Sequence, residues 1–169
     1  MNISRSIRSS ARSQDSTDNW LLTADRDGYK GVFLFVYGTL MRGFREDWRQ
    51  KLGAEFIGRG TIRANLYDLG DYPGAKVLGA EPGRRVSGEL YRLRHPELAL
   101  KTLDEYEEFS PLKPNRSLFI RRLVSVTLED GRKRRAWAYL YNRGTAGAKL
   151  IPTGSYPDSA NFRRSSVVK

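Results

Sequence analysis

Two short segments carry residue types that could act together in catalysis. Tyr37-Gly38-Thr39-Leu40 directly follows an apolar run, and Glu107 lies in the acidic segment 104–108. The chain has no cysteine and a single histidine. This excludes a thiolate nucleophile, a Cys-ligated metal and, within one chain, a site built on paired histidines. The histidine, His95, precedes Pro96 at an expected helix start and is interpreted as a surface or helix-entry residue. A general base is therefore expected to be a carboxylate.

Glu107 has an unusual position on its predicted helix, which extends from Pro96 to about Glu108. At about 100° per residue, it falls on the stripe that the apolar residues form, the expected buried face. The stripe consists of Ala99, Leu100, Leu103 and Tyr106. Glu105 and Glu108 project away from it and are expected to be solvated. A carboxylate that lines a cavity has a raised pKa and can act as a base. The alternative is a helix-end glutamate that bends back to water or pairs with an arginine.

The turn at residues 37–40 is a candidate anion-binding loop. A glycine directly after a buried strand allows a sharp turn and a close approach to a ligand. Successive backbone N–H groups in such a turn can point into one concavity and bind a carboxylate or a phosphate. The spacing is not that of a P-loop. A purely structural turn is the alternative interpretation.

The elements that must position these segments are mostly strands. The sequence predicts the following elements in order: a buried strand over 31–36, a short helix over 45–52 with Trp48 and Leu52 on one face, strands with a bulge over 55–69, a turn over 71–74, a strand over 86–93, the helix from Pro96, a break over 110–115, a hairpin of 119–128 and 136–141 through Asp130-Gly131, and a segment from 142 onward that is mostly loop. This order predicts an α+β fold: a curled, mostly antiparallel β-barrel with one or two flanking helices.

The whole chain fits one domain. It has 169 residues, of which 39% are hydrophobic, enough for a real core. Residues 1–28 are polar and aperiodic, which predicts a disordered tail, followed by a domain over 29–160 and a C-terminal tail over 161–169. No apolar run approaches the roughly 20 residues that a membrane helix needs. We therefore expect a soluble, cytoplasmic protein without a membrane partner.

The net charge of +11 is compatible with a nucleic acid, an anionic substrate or a solvated basic surface. The arginines are spread along the chain. The densest cluster, 132–135, follows Asp130-Gly131 and is interpreted as the charged outgoing strand of a hairpin, with a polyanion patch as the alternative. Most aromatic residues lie in apolar strands rather than on a basic face, so a nucleic acid partner is not expected.

Several motifs in order resemble one known family. They are FLFVYGTL (33–40), NLYDLGDYPGAK (65–76), VSGELYRL (86–93), LDEYE (103–107) and the closing hairpin RRLVSVTLEDGRKRRAWAYLY (121–141). Over about residues 32–141 the sequence resembles the γ-glutamylcyclotransferase superfamily, most closely the branch that includes γ-glutamylamine cyclotransferase.

The resemblance implies a curled β-barrel and an enzyme that cleaves a γ-glutamyl amide and releases 5-oxoproline. By position, Glu107 is the acid/base residue and the turn 37–40 binds the substrate's glutamyl end. Tyr72 and Arg121 are further substrate-binding candidates. No cofactor or metal is expected. The expected partner is a small γ-glutamyl substrate, and the expected state is a monomer or weak homodimer.

The sequence departs from the family pattern at two places. Phe119-Ile120-Arg121 stands where the family usually has Tyr-x-Arg, so a tyrosine hydroxyl is lost. Gly154-Ser155-Tyr156 stands where many relatives have Gly-Asp-Trp. These changes leave substrate identity open. Three alternatives remain: the same ring closure with a different leaving amine, a non-catalytic binding or regulatory module on this fold, and a basic nucleic-acid-binding barrel.

Overall fold

The computed structural model describes residues 31–43, 47–77 and 82–156. The predicted tails, and the predicted start of the first helix at Arg45, lie outside these residues, so the domain boundaries stay predictions. The strands are β1 Val32–Val36, β2 Ala54–Ile62, β3 Asn65–Asp68, β4 Pro73–Lys76, β5 Val86–Leu93, β6 Phe119–Leu128, β7 Lys133–Tyr141 and β8 Lys149–Leu150; the helices are α1 Asp47–Lys51 and α2 Pro96–Tyr106, with a 3₁₀ turn over Pro114–Arg116.

Five strands close into a barrel in the order β1-β5-β2-β6-β7. The neighbours are antiparallel except for β7 and β1, which close the barrel in parallel at Leu34 and Trp137. A small second sheet has the order β4-β3-β8. The register of β2 against β5 shifts between Phe56 and Gly58, which is the predicted bulge. The predicted fold, an α+β barrel that is mostly antiparallel with flanking helices, is confirmed.

Strand β1 is buried on both faces, which explains its uninterrupted apolar sequence. Successive side chains in a strand point to opposite faces. Phe33 and Phe35 pack with Leu90 in one core cluster, and Leu34 packs with Leu100 of α2 in the other. β1 therefore lies between the barrel interior and the layer beneath the helices. Because the turn at 37–40 follows β1 directly, it lies where these two layers meet.

Helix α1 confirms the predicted pairing of Trp48 and Leu52, since both are buried in the cluster beneath α2. The Trp48 indole Nε1 donates a hydrogen bond to the carbonyl of Leu40 at 2.9 Å. This short helix thus supports the far end of the turn. None of the helices in the described ranges is long and apolar enough to cross a membrane.

Two predicted boundaries are wrong. The turn predicted over 71–74 lies at 69–72, closed by the Leu69 N–H and the Tyr72 carbonyl at 3.1 Å. Pro73 begins β4 instead, because a proline is tolerated as the first residue of an edge strand. Strand β7 starts at Lys133 rather than 136, since the charged residues continue the ladder, and Arg134 among them is buried. The segment from 142 onward, predicted to be mostly loop, contains the two-residue strand β8.

Candidate active site

Helix α2 carries Glu107 at its end. Pro96 occupies the first turn, and His95 is the exposed residue before it, with no side-chain capping bond. This confirms its interpretation as a helix-entry residue. Ala99, Leu100 and Leu103 are buried, as predicted. The helix ends at Tyr106 rather than Glu108, so Glu107 is its C-cap residue.

A Schellman motif ends the helix and orients Glu107. The N–H of Phe109 bonds to the carbonyl of Asp104 at 2.8 Å, and the N–H of Glu108 to that of Glu105 at 3.3 Å. The motif needs a left-handed residue at position 108, and Glu108 has a φ of 53°. Glycine is the usual residue there, because a side chain is strained in this conformation. The chain therefore turns sharply just after Glu107.

The buried face of α2 differs from the prediction in one respect. Tyr106 is 44% exposed, whereas Asp104 is only 9% exposed. At about 100° per residue, Asp104 lies only ~40° from Leu100 around the helix, whereas Tyr106 lies ~120° away. Asp104 is therefore a site-adjacent residue that the sequence reasoning missed, although the helical spacing contains the signal.

Asp104 is the centre of a polar cluster behind the cavity. The Tyr139 hydroxyl donates to its Oδ1 at 2.7 Å, and the Arg121 guanidinium contacts its Oδ2 at 3.0 Å. Burial raises the pKa of Asp104, and the Tyr139 hydroxyl and Arg121 partly oppose this. Burial and the hydrogen bond to Asp104 also raise the pKa of Tyr139. The cluster fixes Tyr139 in its protonated form.

The structure does not bring Arg121 into the cavity with the other predicted site residues. Its guanidinium is bound to Asp104 and lies 5.7 Å from the Phe109 ring centre and 5.3 Å from that of Trp137. Its charge is already neutralised by a partly buried carboxylate, and substrate contact by Arg121 stays a prediction. It positions Asp104 and, through it, Tyr139.

The turn at 37–40 is closed by a hydrogen bond from the Met41 N–H to the Gly38 carbonyl at 3.0 Å. The amides of Thr39 and Leu40 donate no hydrogen bond within the part of the chain that the structure describes. Tyr37 fixes the entry to the turn: its hydroxyl donates to the Tyr139 carbonyl at 2.6 Å and accepts from the Ala75 N–H at 3.2 Å. Two amides are thus held ready for an anion.

A buried carboxylate anchors the exit from the turn. Glu89 of β5 is 2% exposed. Its Oε2 accepts from the Arg42 N–H at 2.9 Å and from the Tyr91 hydroxyl at 2.7 Å, and its Oε1 accepts from the Arg42 Nε at 3.0 Å. Burial alone would raise the pKa of Glu89, but these donors together hold it below its usual range. Glu89 was not recognised as a site-supporting residue from the sequence.

A cavity of about 290 Å³ brings the predicted residues together. Its walls are Phe35, Val36, Tyr37, Gly38, Thr39, Leu40, Tyr72, Pro73, Tyr106, Glu107, Glu108, Leu118, Phe119 and Tyr139. The predicted turn, Tyr72 and Glu107 are all included. Tyr139 was missed, because the segment 136–141 was interpreted only as an apolar strand. Tyr156, in the segment that replaces Gly-Asp-Trp, is buried outside this wall.

The electrostatics of the cavity favour proton transfer by Glu107. Burial raises its pKa to about 7. Its carboxylate makes no hydrogen bond or ion pair within the described ranges, so the alternative of an arginine partner does not hold there. A carboxyl group with this pKa changes protonation near neutral pH and can act as a base and as an acid. The arrangement combines a carboxylate with a pKa near neutral, a turn with two available amides and an aromatic wall.

Comparisons with known proteins identify relatives of this sequence and of this fold. Residues 34–158 match the family described as "Gamma-glutamyl cyclotransferase, AIG2-like". A γ-L-glutamyl-butirosin B γ-glutamyl cyclotransferase of Niallia circulans is 35% identical over 111 residues, 65% of this chain and 67% of that protein. The family protein YtfP of Escherichia coli K12 is 32% identical over 127 residues, 74% of this chain and 96% of YtfP. An AIG2-like protein from Mus musculus has a similar structure, with a TM-score of 0.58 and 26% identity over 76% of this chain and 89% of that one.

The fold and the cavity are those of a barrel enzyme with a largely buried carboxylate in the cavity wall. More specifically, the chain belongs to the γ-glutamyl cyclotransferase, AIG2-like family, which confirms the resemblance drawn from the sequence motifs.

Proposed function

We propose that this enzyme cleaves a γ-glutamyl amide by attack of the substrate's own α-amine on its γ-carbonyl, with release of 5-oxoproline and an amine. The observation that supports this most directly is the shared cavity. Glu107, with a pKa of about 7, lines the same walls as Thr39 and Leu40, whose amides donate no hydrogen bond to any described residue. The proposed site residues are Glu107 for proton transfer, the turn 37–40 for the glutamyl end and Tyr72 for the wall.

Binding would select a folded substrate. The turn amides hold the α-carboxylate, because successive N–H groups bind anions. The cavity then folds the glutamyl chain so that the α-nitrogen approaches the γ-carbonyl carbon. Holding such a near-attack conformer contributes on the order of several kcal/mol through proximity alone.

Proton transfer would follow the order of bond changes. The Glu107 carboxylate takes one proton from the α-ammonium, and the free amine forms the new C–N bond of the five-membered ring. Glu107 returns that proton to the leaving nitrogen as the old amide bond breaks. The ring nitrogen loses a second proton to the carboxylate, which passes it to the departing amine. One carboxylate can serve each transfer, since its pKa lies near the operating pH.

Glu107→Gln tests the proposal. The variant keeps the size of the side chain but cannot accept a proton, so 5-oxoproline release from a panel of γ-glutamyl amides should fall at least ~100-fold, the range for loss of a general base. Glu105→Gln is the matched control, because Glu105 is exposed on the same helix and lies outside the cavity wall. Full activity of the Glu107 variant would overturn the proposal. A wild-type protein that binds γ-glutamyl compounds but releases no 5-oxoproline would favour the non-catalytic module.

A further inference from the structure

A second cavity lies beside β6 and β7 and shares no wall residue with the cavity that contains Glu107. Its volume is about 380 Å³, enough for a small-molecule ligand. Phe109 and two prolines of the segment after α2 form one side of it, and residues 120–122 with Trp137 form the other. The proposed ring closure uses none of these groups. We refer to this second cavity as the β6 cavity.

The β6 cavity opens at an edge of strand β6. Strand β2 pairs with β6 only at Thr127 and Leu128, so among the described strands residues 120–122 pair with β7 alone. Successive side chains of a strand point to opposite faces. Three consecutive residues can therefore line one cavity only because the cavity extends around this edge.

The β6 cavity carries a net positive charge. Arg121 and Arg122 line it, and no acidic residue of the described ranges does. The Arg121 side chain is largely buried and its Nη1 lies 3.0 Å from Asp104 Oδ2, so Asp104 offsets one charge. Arg122 is exposed, and its guanidinium makes no hydrogen bond or ion pair within the described ranges. One positive charge is left, which suits a ligand with a single negative charge.

The rest of the wall is apolar and aromatic. The Arg121 guanidinium carbon lies 5.7 Å from the centre of the Phe109 ring and 5.3 Å from that of Trp137. Such rings offer large apolar surfaces to another ring, and a guanidinium binds a carboxylate with paired N–H donors. The wall therefore matches an aromatic ring that carries one carboxylate.

The two cavities are connected through one ion pair. Arg121 lines the β6 cavity, Tyr139 lines the cavity that contains Glu107, and Asp104 contacts both. A guanidinium has five N–H donors, and the contact with Asp104 is made at Nη1. A ligand carboxylate can thus share Arg121 with Asp104. Sharing weakens the attraction between Arg121 and Asp104, which holds Tyr139 in the wall beside Glu107.

We propose that the β6 cavity is a second binding site, for a small aromatic monocarboxylate, and that the Arg121–Asp104 ion pair couples it to the cavity that contains Glu107. The ligand is bound without any covalent change. Its carboxylate competes with Asp104 for Arg121, so occupancy loosens Tyr139 and lowers turnover without displacing the substrate.

Three probes test the ligand chemistry: 3-phenylpropionate, 3-phenylpropionamide and propionate. The amide lacks the charge of the first probe, and propionate lacks its ring. Calorimetric titration should give a Kd on the order of 1 mM for phenylpropionate. The amide should bind about three- to fivefold more weakly, the effect of one partly exposed ion pair. Propionate should show no measurable binding.

The indole N–H signals in NMR spectra locate the bound probe, once they are assigned with single Trp→Phe variants. Trp137 lines the β6 cavity, whereas Trp48 donates to the Leu40 carbonyl in the turn of the first cavity. Phenylpropionate should shift the Trp137 signal and leave that of Trp48 in place. Arg122→Gln should weaken binding about three- to fivefold. Arg135→Gln is the matched control, because Arg135 is exposed on β7 outside this cavity.

Asp104→Asn tests the coupling. The variant removes the carboxylate that competes for Arg121, so phenylpropionate should bind about three- to fivefold more tightly, and by reciprocity the ligand weakens the ion pair in the wild type. Saturating phenylpropionate should lower the wild-type kcat for 5-oxoproline release about two- to fivefold, to a plateau that added substrate does not relieve. Only this kinetic measurement rests on the proposed function. Binding as described by a protein that releases no 5-oxoproline would overturn the proposed function and support the second site.

Three results would overturn the second site: no binding of phenylpropionate at about 10 mM, a shift of the Trp48 signal in place of that of Trp137, or undiminished affinity in Arg122→Gln. Tighter binding of adenosine monophosphate, which is doubly charged, would overturn the assignment to a monocarboxylate. An unchanged affinity in Asp104→Asn, or competition with the substrate in place of a plateau, would overturn the coupling.

Discussion

The reactivity expected of Glu107 depends on its having no charged or hydrogen-bonding partner among the described residues. Its carboxylate lies in a cavity wall that is otherwise largely apolar, and within the described ranges no arginine, lysine or hydrogen-bond donor compensates its charge. Asp104, only one turn earlier, is also buried but has Tyr139 and Arg121 as partners. Burial without a partner favours the protonated form. The two acids of one helix are thus given different roles by their surroundings.

The raised pKa predicts the pH dependence of the reaction. Glu107 must be ionised to accept the first proton, so kcat/KM should rise with pH and level off above an apparent pKa near 7. The measurement is initial 5-oxoproline release across pH 5 to 9 with a saturable γ-glutamyl amide. An acidic limb near the ordinary glutamate value, about 4.3, would mean that Glu107 is not the titrating base.

The same shift predicts a pH-dependent cost in stability. The folded-state pKa of about 7 exceeds the unfolded value, so the native state binds more protons between about pH 4.5 and 7 and stability falls as the pH rises through that window. Glu107→Gln removes this cost. Its unfolding free energy relative to the wild type should therefore rise with pH, by about 2–3 kcal/mol at most. Urea denaturation at about pH 5 and pH 8 measures the difference, with Glu105→Gln as the control that should show none.

At the scale of single residues, the sequence predicts which residue types form the site better than it predicts which of their side chains are buried. Glu107 follows from helical spacing, and the lack of cysteine and paired histidines points to a carboxylate. Tyr106 was assigned to the buried face because it is apolar in part, yet it is 44% exposed. Asp104 carries a charge, and its burial is explained only by its contacts with Tyr139 and Arg121. Such pairs join residues distant in sequence, so local pattern does not reveal them.

At the scale of elements, the site depends on how β1, β5 and the turn are joined. Glu89 and Val36 are neighbours in the β1–β5 register, so the carboxylate of β5 lies beside the strand that enters the turn. From there it reaches the Arg42 N–H two residues beyond the turn. One buried side chain therefore ties the exit of the turn to the strand beside its entry, and it keeps the Thr39 and Leu40 amides oriented.

Glu89→Gln should loosen this anchor. The amide keeps the shape, but its NH₂ group faces donors from Arg42 and Tyr91, and a buried group left without its partner costs about 1–3 kcal/mol. We expect a large loss of stability and, in the remaining folded protein, a several-fold rise in KM with a smaller change in kcat. Thermal denaturation and steady-state kinetics at low temperature measure the two effects.

Glu55→Gln is the control for this variant, because Glu55 binds Arg92 on the outer surface of the barrel and is half-exposed. Surface pairs of this kind contribute ~1 kcal/mol or less, so KM should not change. An unaltered KM in folded Glu89→Gln would show that the buried carboxylate supports the fold alone.

The elements themselves could be predicted because their signals are local. The apolar run of β1, the proline at the start of α2 and the Asp130-Gly131 turn identify their own structures. The order of strands in the barrel, and the parallel closure of β7 on β1, depend on long-range pairing. For these the resemblance of ordered motifs to a known family was needed. The anchor at Glu89 escaped prediction for the same reason, since Glu89 and Arg42 are 47 positions apart.

At the scale of the whole molecule, the basic charge of the described ranges is interleaved with acids rather than gathered into a binding face. Arg42, Arg92, Arg121 and Arg132 each contact a carboxylate. The hairpin turn at Asp130-Gly131 confirms the predicted hairpin, and within its basic cluster Arg134 is buried. Nucleic acid binding that matters at cellular salt needs several unpaired cations aligned with phosphates. Stacking of single strands further needs aromatic faces beside those cations.

We therefore expect only weak, non-specific association with nucleic acid. In fluorescence anisotropy, a labelled single-stranded RNA should bind at about 0.02 M salt, through the net charge of +11, and should lose nearly all of that binding by about 0.2 M. Arg132→Gln with Arg135→Gln should weaken the low-salt binding without altering 5-oxoproline release, since neither residue lines the cavity. Two results would restore the nucleic-acid interpretation: sub-micromolar affinity at the higher salt, or inhibition of 5-oxoproline release by the RNA. Scattered charges that are screened by salt can produce neither result.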